Sequence, residues 1–409
     1  MKICVVTSYT AAAEPRGSRH AIAAKMAFPD ADVVLLDLAA SGAPRQVEPE
    51  LLRPYAIARR TIEFPTRASS LPRLIARKLN TYIGRTAFSV FGLLRESVFG
   101  DRTQGLTRAL LDARADVYIA HNIETLLPAI MAARAHGSSV VFDCMEFYSD
   151  MGENQHPAEA AAARNLEARY LPRCALVIAS SDIMAGALAA EYGIARPLAA
   201  YNVSPTEQQL PARKGGGLNL YWRNSVIGFG QRGLEDALDA LVMLPAEVHL
   251  HLQGRQTPQT KSALDERVAA LGLNHRVHVL PPYAPHEAVC NAALYDVGLC
   301  LERKGPRNHD LTVSNKMFDY HMAGLAVIAT DLPALADVVG RSGGGVVFRP
   351  GDPQSLAESI RAFLDAPERL IQMQNSARRF ALGEANLEAE TEKIAAALRR
   401  AICQKGVAA

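Results

Sequence analysis

No apolar run in this chain of 409 residues approaches the roughly 20 residues that a helix needs to cross a bilayer. The opening MKICVVTSYT is too short, and too polar at its end, for a signal peptide, and it reads as a first buried strand. Cysteine is sparse: the six, at positions 4, 144, 174, 290, 300 and 403, show no C-x-x-C spacing. That pattern favours reduced core thiols in a cytoplasmic protein over disulfides or a zinc site. Low-complexity tracts are missing as well. Acid is scarce in one long stretch, where Glu63 is the only carboxylate between Leu51 and Arg95. The same stretch carries Arg53, Arg59, Arg60, Arg67, Arg73, Arg77, Lys78, Arg85 and Arg95, interleaved with Leu71, Leu74, Ile75, Leu79, Tyr82, Ile83, Phe88, Val90, Phe91, Leu93 and Leu94. A basic amphipathic segment of this kind suits peripheral contact with an anionic membrane, or an anionic acceptor; a helix pair with a solvated basic face is the plainer alternative. Nucleic acid is not an expected partner, because no nucleic-acid-binding motif accompanies the charge.

What is present is a folding composition, 49% hydrophobic and 21% charged residues with a net charge of +2. The length predicts two domains. Short β-branched runs recur at 3–7, 33–36, 117–120, 140–142, 176–179 and 198–201, with helical stretches such as 125–135, 158–170 and 183–192 between them. Strands alternating with amphipathic helices predict a parallel, doubly wound sheet. The alternation breaks at 205–217, PTEQQLPARKGGG, which reads as a linker, and resumes at 248–252, 277–280, 297–301, 326–329 and 346–348. The expected organisation is therefore α/β. A Rossmann-like domain over 1–204, on the acceptor side, and a second over 218–385 face a cleft, and a C-terminal helix follows over 386–409.

The most informative stretch is 314–331, SNKMFDYHMAGLAVIATD. Ser314 is a candidate N-cap, Lys316 and Asp319 are one turn apart, and Gly324 ends the helix before a buried strand. The first turn offers N–H groups and an ammonium to an anion, and a carboxylate one turn on accepts from hydroxyls. A nucleoside diphosphate has both parts, although an ordinary αβ unit with a solvated Lys and Asp would look the same. In open αβ sheets ligands sit at the carboxyl ends of strands. That rule gathers His121, Asn122, Asp143 and Glu146 as candidates in the first half, and Arg223, Arg232, Gly254, Tyr283, Glu302, Asp310 and Asp319 in the second.

The order of these landmarks resembles the GT-B glycosyltransferases of the retaining family four type over nearly the whole chain. The resemblance rests on SNKMFDYHMAGLAVIATDLPALADVV, on Gly343–Phe348 with Pro350-Gly351-Asp352, on Tyr221-Trp222-Arg223 and on Gln231-Arg232-Gly233. In the first half it rests on Ala120-His121-Asn122, Phe142–Glu146, Ser180-Ser181 and Tyr201-Asn202. It implies a hexosyltransferase-like enzyme, moving a sugar with retention from a UDP- or GDP-linked donor to a glycan, lipid-linked or small-molecule acceptor, as in polysaccharide biosynthesis at the inner face of a membrane. Asp319 matches the family's ribose-binding carboxylate. The carboxylate about eight positions earlier, which contacts the sugar, would fall on Leu311; Asp310 beside it, or Glu302 earlier in the loop, would have to replace it.

Under this resemblance Arg223, Arg232 and Lys316 stabilise the leaving diphosphate together with the N–H groups near Ser314. Gly254 lies beside the donor, Tyr283 flanks the base, and His121 projects toward sugar or acceptor. Arg16 and Gly17 would lie on a loop able to reach donor phosphates or acceptor. The one D-x-D, Asp30-Ala31-Asp32, precedes a strand and reads as a turn. No metal and no cofactor beyond the donor is therefore expected. Leu311 leaves open a catalytically inactive nucleotide-sugar-binding or scaffold protein, and a nucleotide-sugar epimerase is a further alternative.

Overall fold

Thirteen strands form two all-parallel sheets in the computed structural model, which describes residues 1–11, 15–42, 50–152, 154–230 and 232–405. In the first unit the strands are β1 (Lys2–Val6), β2 (Asp32–Ala40), β3 (Ala58–Phe64), β4 (Val117–His121), β5 (Ser139–Cys144), β6 (Leu176–Ala179) and β7 (Leu198–Ala199). Its helices are α1 (Pro15–Ala27), α2 (Leu71–Phe91), α3 (Leu106–Ala113), α4 (Ile123–His136), α5 (Pro157–Tyr170) and α6 (Asp182–Tyr192). The second unit contains β8 (Leu218–Val226), β9 (Val248–Arg255), β10 (Val277–Leu280), β11 (Val297–Cys300), β12 (Ala326–Thr330) and β13 (Gly345–Phe348). With them go α7 (Leu234–Val242), α8 (Pro258–Ala270), α9 (Ala288–Ala292), α10 (Arg307–Leu311), α11 (Asn315–Met322), α12 (Pro333–Ser342), α13 (Pro353–Asp365) and α14 (Pro367–Gly383). The last helix is α15 (Leu387–Lys405).

The strand orders are β3-β2-β1-β4-β5-β6-β7 and β10-β9-β8-β11-β12-β13. Each is a doubly wound sheet in which the order reverses beside its first strand, between β1 and β4 and between β8 and β11, the place where open αβ sheets bind ligands. Helices cover both faces, which is why the central strands are apolar throughout instead of alternating. All five residues of β12 are buried, and Ile3 in β1 stands in register with Val33 on one side and Val117 on the other.

The chain divides after Ala200: Met1–Ala200 and the chain from Thr391 form one unit, Tyr201–Glu390 the other. Residues 201–217 contain neither helix nor strand. Ile394, Ala395 and Leu398 of α15 are buried in the first unit's core, so the terminal helix completes a domain. The acid-poor stretch is not one amphipathic unit. It opens in a short 3-10 helix (Glu50–Tyr55), continues as the edge strand β3, paired with β2, and then forms the long helix α2.

Candidate active site

Two ion-pair clusters mark the carboxyl ends of the second sheet. At the end of β11, Glu302 is buried at 7% exposure and its Oε1 lies 3.0 Å from Arg232 Nη1 and 3.7 Å from Lys316 Nζ. Burial would raise the Glu302 pKa, but Lys316 and Arg232 together with a hydrogen bond from Ser314 bring it below the ordinary glutamate value. Burial lowers the Lys316 pKa against the pull of Glu302. Two cations thus face one carboxylate, and the Arg232 side chain remains 42% exposed. Local sequence places Arg232. Trp222 in β8 donates from Nε1 to the Arg232 carbonyl at 3.1 Å. Gly233 has a left-handed φ of +61°, and a Cβ there would stand 2.3 Å from the Leu301 carbonyl oxygen. Only glycine lets this loop lie against the end of β11.

The second cluster centres on Asp319, one turn into α11. Arg223 of β8 donates from Nη2 to Asp319 Oδ2 and from Nη1 to the Tyr283 hydroxyl, the latter at 2.5 Å, while Ser204 donates to Asp319 Oδ1. Although burial opposes its charge, Asp319 raises the Arg223 pKa, so this guanidinium is firmly cationic. Tyr320 accepts from the Arg223 backbone N–H at 3.3 Å, and the Arg223 guanidinium lies 5.9 Å from the centre of its ring. Position 298 in β11 admits the Tyr320 ring because a Cβ there would meet it at 2.2 Å. Ser314 does precede α11 in extended conformation, but its side chain makes no cap hydrogen bond and serves Glu302 instead.

In the first unit a buried chain of polar groups ends β4 and β5. Arg16 grips Asp143 through Nε at 2.7 Å and Nη2 at 2.8 Å and donates from Nη1 to the Ala200 carbonyl at 2.8 Å. Asp143 Oδ2 lies 2.8 Å from His121 Nδ1, and His121 Nε2 lies 2.9 Å from His20 Nδ1. Burial would raise the Asp143 pKa, yet Arg16 and His20 hold it well below the carboxylate range. Burial keeps His20 well below the usual histidine value despite Asp143.

Beside this chain, a cavity of about 440 Å³ is bordered by Tyr9, Asn122, Glu124, Glu146, Tyr148 and Glu159, among others. Tyr148 donates to Asn122 Oδ1 at 3.0 Å, and Asn122 holds a positive φ of +68° at the start of α4. Burial pushes the Glu124 carboxyl up to about 7, and its Oε2 is buried without a hydrogen-bond partner.

The model of the family described as "Glycosyl transferase 4-like domain" matches residues 20–201, and that described as "Glycosyl transferases group 1" matches residues 226–366. The chain belongs to the group 1 glycosyltransferases. Its fold is that of solved GT-B enzymes at low identity. Anabaena HepE in complex with UDP is 17% identical, with 97% of this chain and 99% of that one covered and a TM-score of 0.68. Sucrose-phosphate synthase from Thermosynechococcus elongatus is 14% identical over all of both chains, with a TM-score of 0.70. WaaG, a glycosyltransferase involved in lipopolysaccharide biosynthesis, is 14% identical over 96% and 98% of the two chains, with a TM-score of 0.62. No curated protein matches the sequence.

In this group 1 glycosyltransferase the expected residues fall into distinct places. Arg232, Lys316 and Ser314 meet at Glu302, and Arg223, Tyr283 and Asp319 meet one turn away. Asp310 is half-buried on α10, and the carboxylate brought to Arg232 and Lys316 is Glu302. Gly254 packs against β8, where a Cβ would stand 2.2 Å from the Asn224 carbonyl oxygen; it faces a bulge in the strand pairing. His121 is fully buried, with both ring nitrogens beside Asp143 and His20. Arg16, expected on a loop, is a buried member of α1. Ser204 and His20 were not among the candidates. Ser204 lies before the Pro-Gly-rich linker with no motif around it, and His20 sits in a helix whose sequence reads as plain amphipathic.

Proposed function

We propose that the protein transfers a hexose from a uridine-diphosphate sugar to an acceptor hydroxyl, with retention at the anomeric carbon. The observation that carries this reading is the convergence of Lys316 and Arg232 on Glu302, one helical turn from the Arg223–Asp319 pair. The diphosphate meets Arg232 and Lys316, whose combined charge exceeds that of Glu302 by one. The Asp319 carboxylate accepts from ribose hydroxyls. As the bond from the anomeric carbon to the diphosphate oxygen breaks, the new charge falls beside fixed cations, which gain strength where water is excluded. The acceptor oxygen bonds to the anomeric carbon and its proton passes to the departing diphosphate, so no protein nucleophile is needed. These cations take the part a divalent metal plays elsewhere, and neither metal nor further cofactor enters the scheme.

Uridine is favoured over guanosine because HepE, of the same fold, holds UDP. The acceptor is a glycan or lipid-linked hydroxyl compound. The cavity of the first unit is bordered by Glu124, Glu146 and Glu159 and suits hydroxyl donors. A second reading, binding without transfer, draws on Leu311, which is apolar and 6% exposed where the resemblance places a carboxylate.

Calorimetric titration with UDP and GDP, on the wild type and on Lys316→Ala, tests the donor site. Preferential UDP binding, weakened in the variant, supports the assignment; equal affinity of wild type and variant would remove Lys316 from it. Release of UDP from UDP-hexoses in the presence of candidate acceptors separates transfer from binding alone, and product formation without acceptor would indicate an epimerase.

A further inference from the structure

Among the described residues twenty large apolar side chains are exposed, and eight of them lie between Leu71 and Leu93, on α2 and just beyond its end. The inward face of α2 mixes polar and small residues with Leu74 and Phe88, both half-buried. Thr81 and Gly84 are buried, and a Cβ on Gly84 would stand 2.4 Å from Ser97 Oγ. Arg77 donates to the Asp101 carbonyl at 2.9 Å, and Arg85 reaches the Val98 carbonyl at 3.1 Å and Glu159 at 2.8 Å. The opposite face carries Ile75 at 57% exposure, Leu79 at 57%, Tyr82 at 70%, Ile83 at 48% and Val90 at 64%, and Phe91 at the helix end reaches 74%. Residues 75, 79, 83 and 90 follow helical spacing, so this is one continuous stripe turned away from the domain. A helix that leaves so long an apolar stripe exposed points to a partner outside its own domain.

The charge around the stripe identifies that partner. Residues 64–95 contain no Asp or Glu but six Arg or Lys, at 67, 73, 77, 78, 85 and 95. Arg77 and Arg85 turn inward, while Arg67, Arg73, Lys78 and Arg95 are exposed around the stripe. A second copy docked through the same face would bring these cations together with no acid of the segment to separate them. An anionic lipid surface accepts both features at once, the apolar stripe at the acyl boundary and the cations among the headgroups. The helix has 21 residues, about 31 Å by rise. It lies in the interface, since no helix of the described residues is long and apolar enough to cross a membrane.

We infer that the outward face of α2 docks the protein on an anionic phospholipid bilayer. The inference rests on the first unit alone and stands whether or not the donor-site reading does. It also deepens that reading, because Glu159, held by Arg85 of α2, borders the cavity assigned to the acceptor. A headgroup-linked acceptor at the bilayer surface would then lie near the cavity.

Co-sedimentation of the full chain with phosphatidylglycerol-containing vesicles and with pure phosphatidylcholine vesicles tests the inference. Wild type should be recovered with the anionic vesicles in excess over the neutral ones by roughly tenfold or more. The double variant Leu79→Glu/Ile83→Glu should lose binding to both, and Arg73→Glu/Lys78→Glu should lose the anionic preference. Both should keep the wild-type melting temperature and UDP affinity, since all four side chains face solvent. Recovery that is absent, or equal for the two vesicle types, would overturn the inference. So would a wild-type dimer in light scattering that Leu79→Glu/Ile83→Glu dissociates, which would assign the face to a second copy.

Discussion

Arg232 Nη1 lies 3.0 Å from Glu302 Oε1, and Lys316 approaches the same oxygen to 3.7 Å. A carboxylate so placed keeps two cations together in the absence of an anionic ligand, and its removal separates folding from binding. Glu302→Gln is expected to lower stability by about 1–3 kcal/mol, because a part-buried hydrogen bond from Arg232 loses its charged acceptor and the buried Lys316 is left with like charge beside it. The same change makes the site more positive by one unit, so UDP should bind the variant more tightly in calorimetry. The Glu302 pKa is lowered in the folded protein, so its stabilisation is present above the ordinary glutamate value of 4.5 and is lost as pH falls through the lower folded value. Glu302→Gln should lack that acid-side loss in melting curves. Weaker UDP binding in the variant would show that Glu302 supports the ligand instead of standing in for it.

Gly233 sets the position of Arg232 by leaving room for the Leu301 carbonyl. Gly233→Ala should cost about 1–3 kcal/mol from its left-handed backbone and the Leu301 contact. It should also weaken UDP binding by about tenfold through displacement of the guanidinium. Circular dichroism with calorimetry checks both. A stable variant with intact affinity would place Arg232 outside the donor site.

The alternation of apolar strands and helices was legible from sequence because buried parallel strands such as β1 and β12 are continuous apolar runs bounded by turns. The helix after Ser314 was legible for the same reason, through its N-terminal polar residues and the glycine that ends it. The pairings that join side chains were not. Arg223 and Asp319 are 96 positions apart, and they meet because β8 lies next to β11, an adjacency that no local pattern encodes. Glu302 and Asp310 are both carboxylates near Leu311 in sequence, and Asp310 is its neighbour; the end of β11 aims Glu302 at Lys316, while the short α10 carries Asp310. The sequence announced a basic amphipathic segment over 51–95 but neither where its helix begins nor which face would pack; Gly84, Thr81 and Arg85 fit Ser97 and Glu159, with Leu74 and Phe88 on the same side.

His321 in α11 is fully buried with neither ring nitrogen hydrogen-bonded among the described residues, and burial pushes its pKa down to about 3. Above pH 6.5 both folded and unfolded states keep this ring neutral, so it costs nothing there. As pH falls from 6.5 toward 3 the unfolded chain takes up a proton that the folded chain refuses, and stability falls by about 1.4 kcal/mol per pH unit. His251, also held near 3 by burial, adds to this limb. His321→Leu, of similar size and facing Phe380, should flatten the decline between pH 6 and pH 4 in denaturant titrations, roughly halving its slope if the two histidines dominate it. An unchanged slope would place the acid sensitivity elsewhere.

Arg16 grips Asp143, with the Asp143 and Arg16 side chains 0% and 3% exposed, and Asp143 also lies against His121. Removing one partner of a buried pair leaves the other charge uncompensated, so Asp143→Ala should destabilise the first unit by about 3–5 kcal/mol. The loss should exceed that of His20→Ala, because His20 is the neutral end of the chain and its Nε2 has no partner to lose. The donor site proposed above lies in the second unit, so UDP binding should survive both changes wherever that unit stays folded. Urea unfolding followed by tryptophan fluorescence reports the second unit through Trp222, the only tryptophan, while far-ultraviolet circular dichroism reports both. An early dichroism transition in Asp143→Ala that fluorescence does not share would assign the loss to the first unit. Coincident transitions at the wild-type midpoint would show that the Arg16–Asp143 pair contributes little to holding β1, β4 and β5 together.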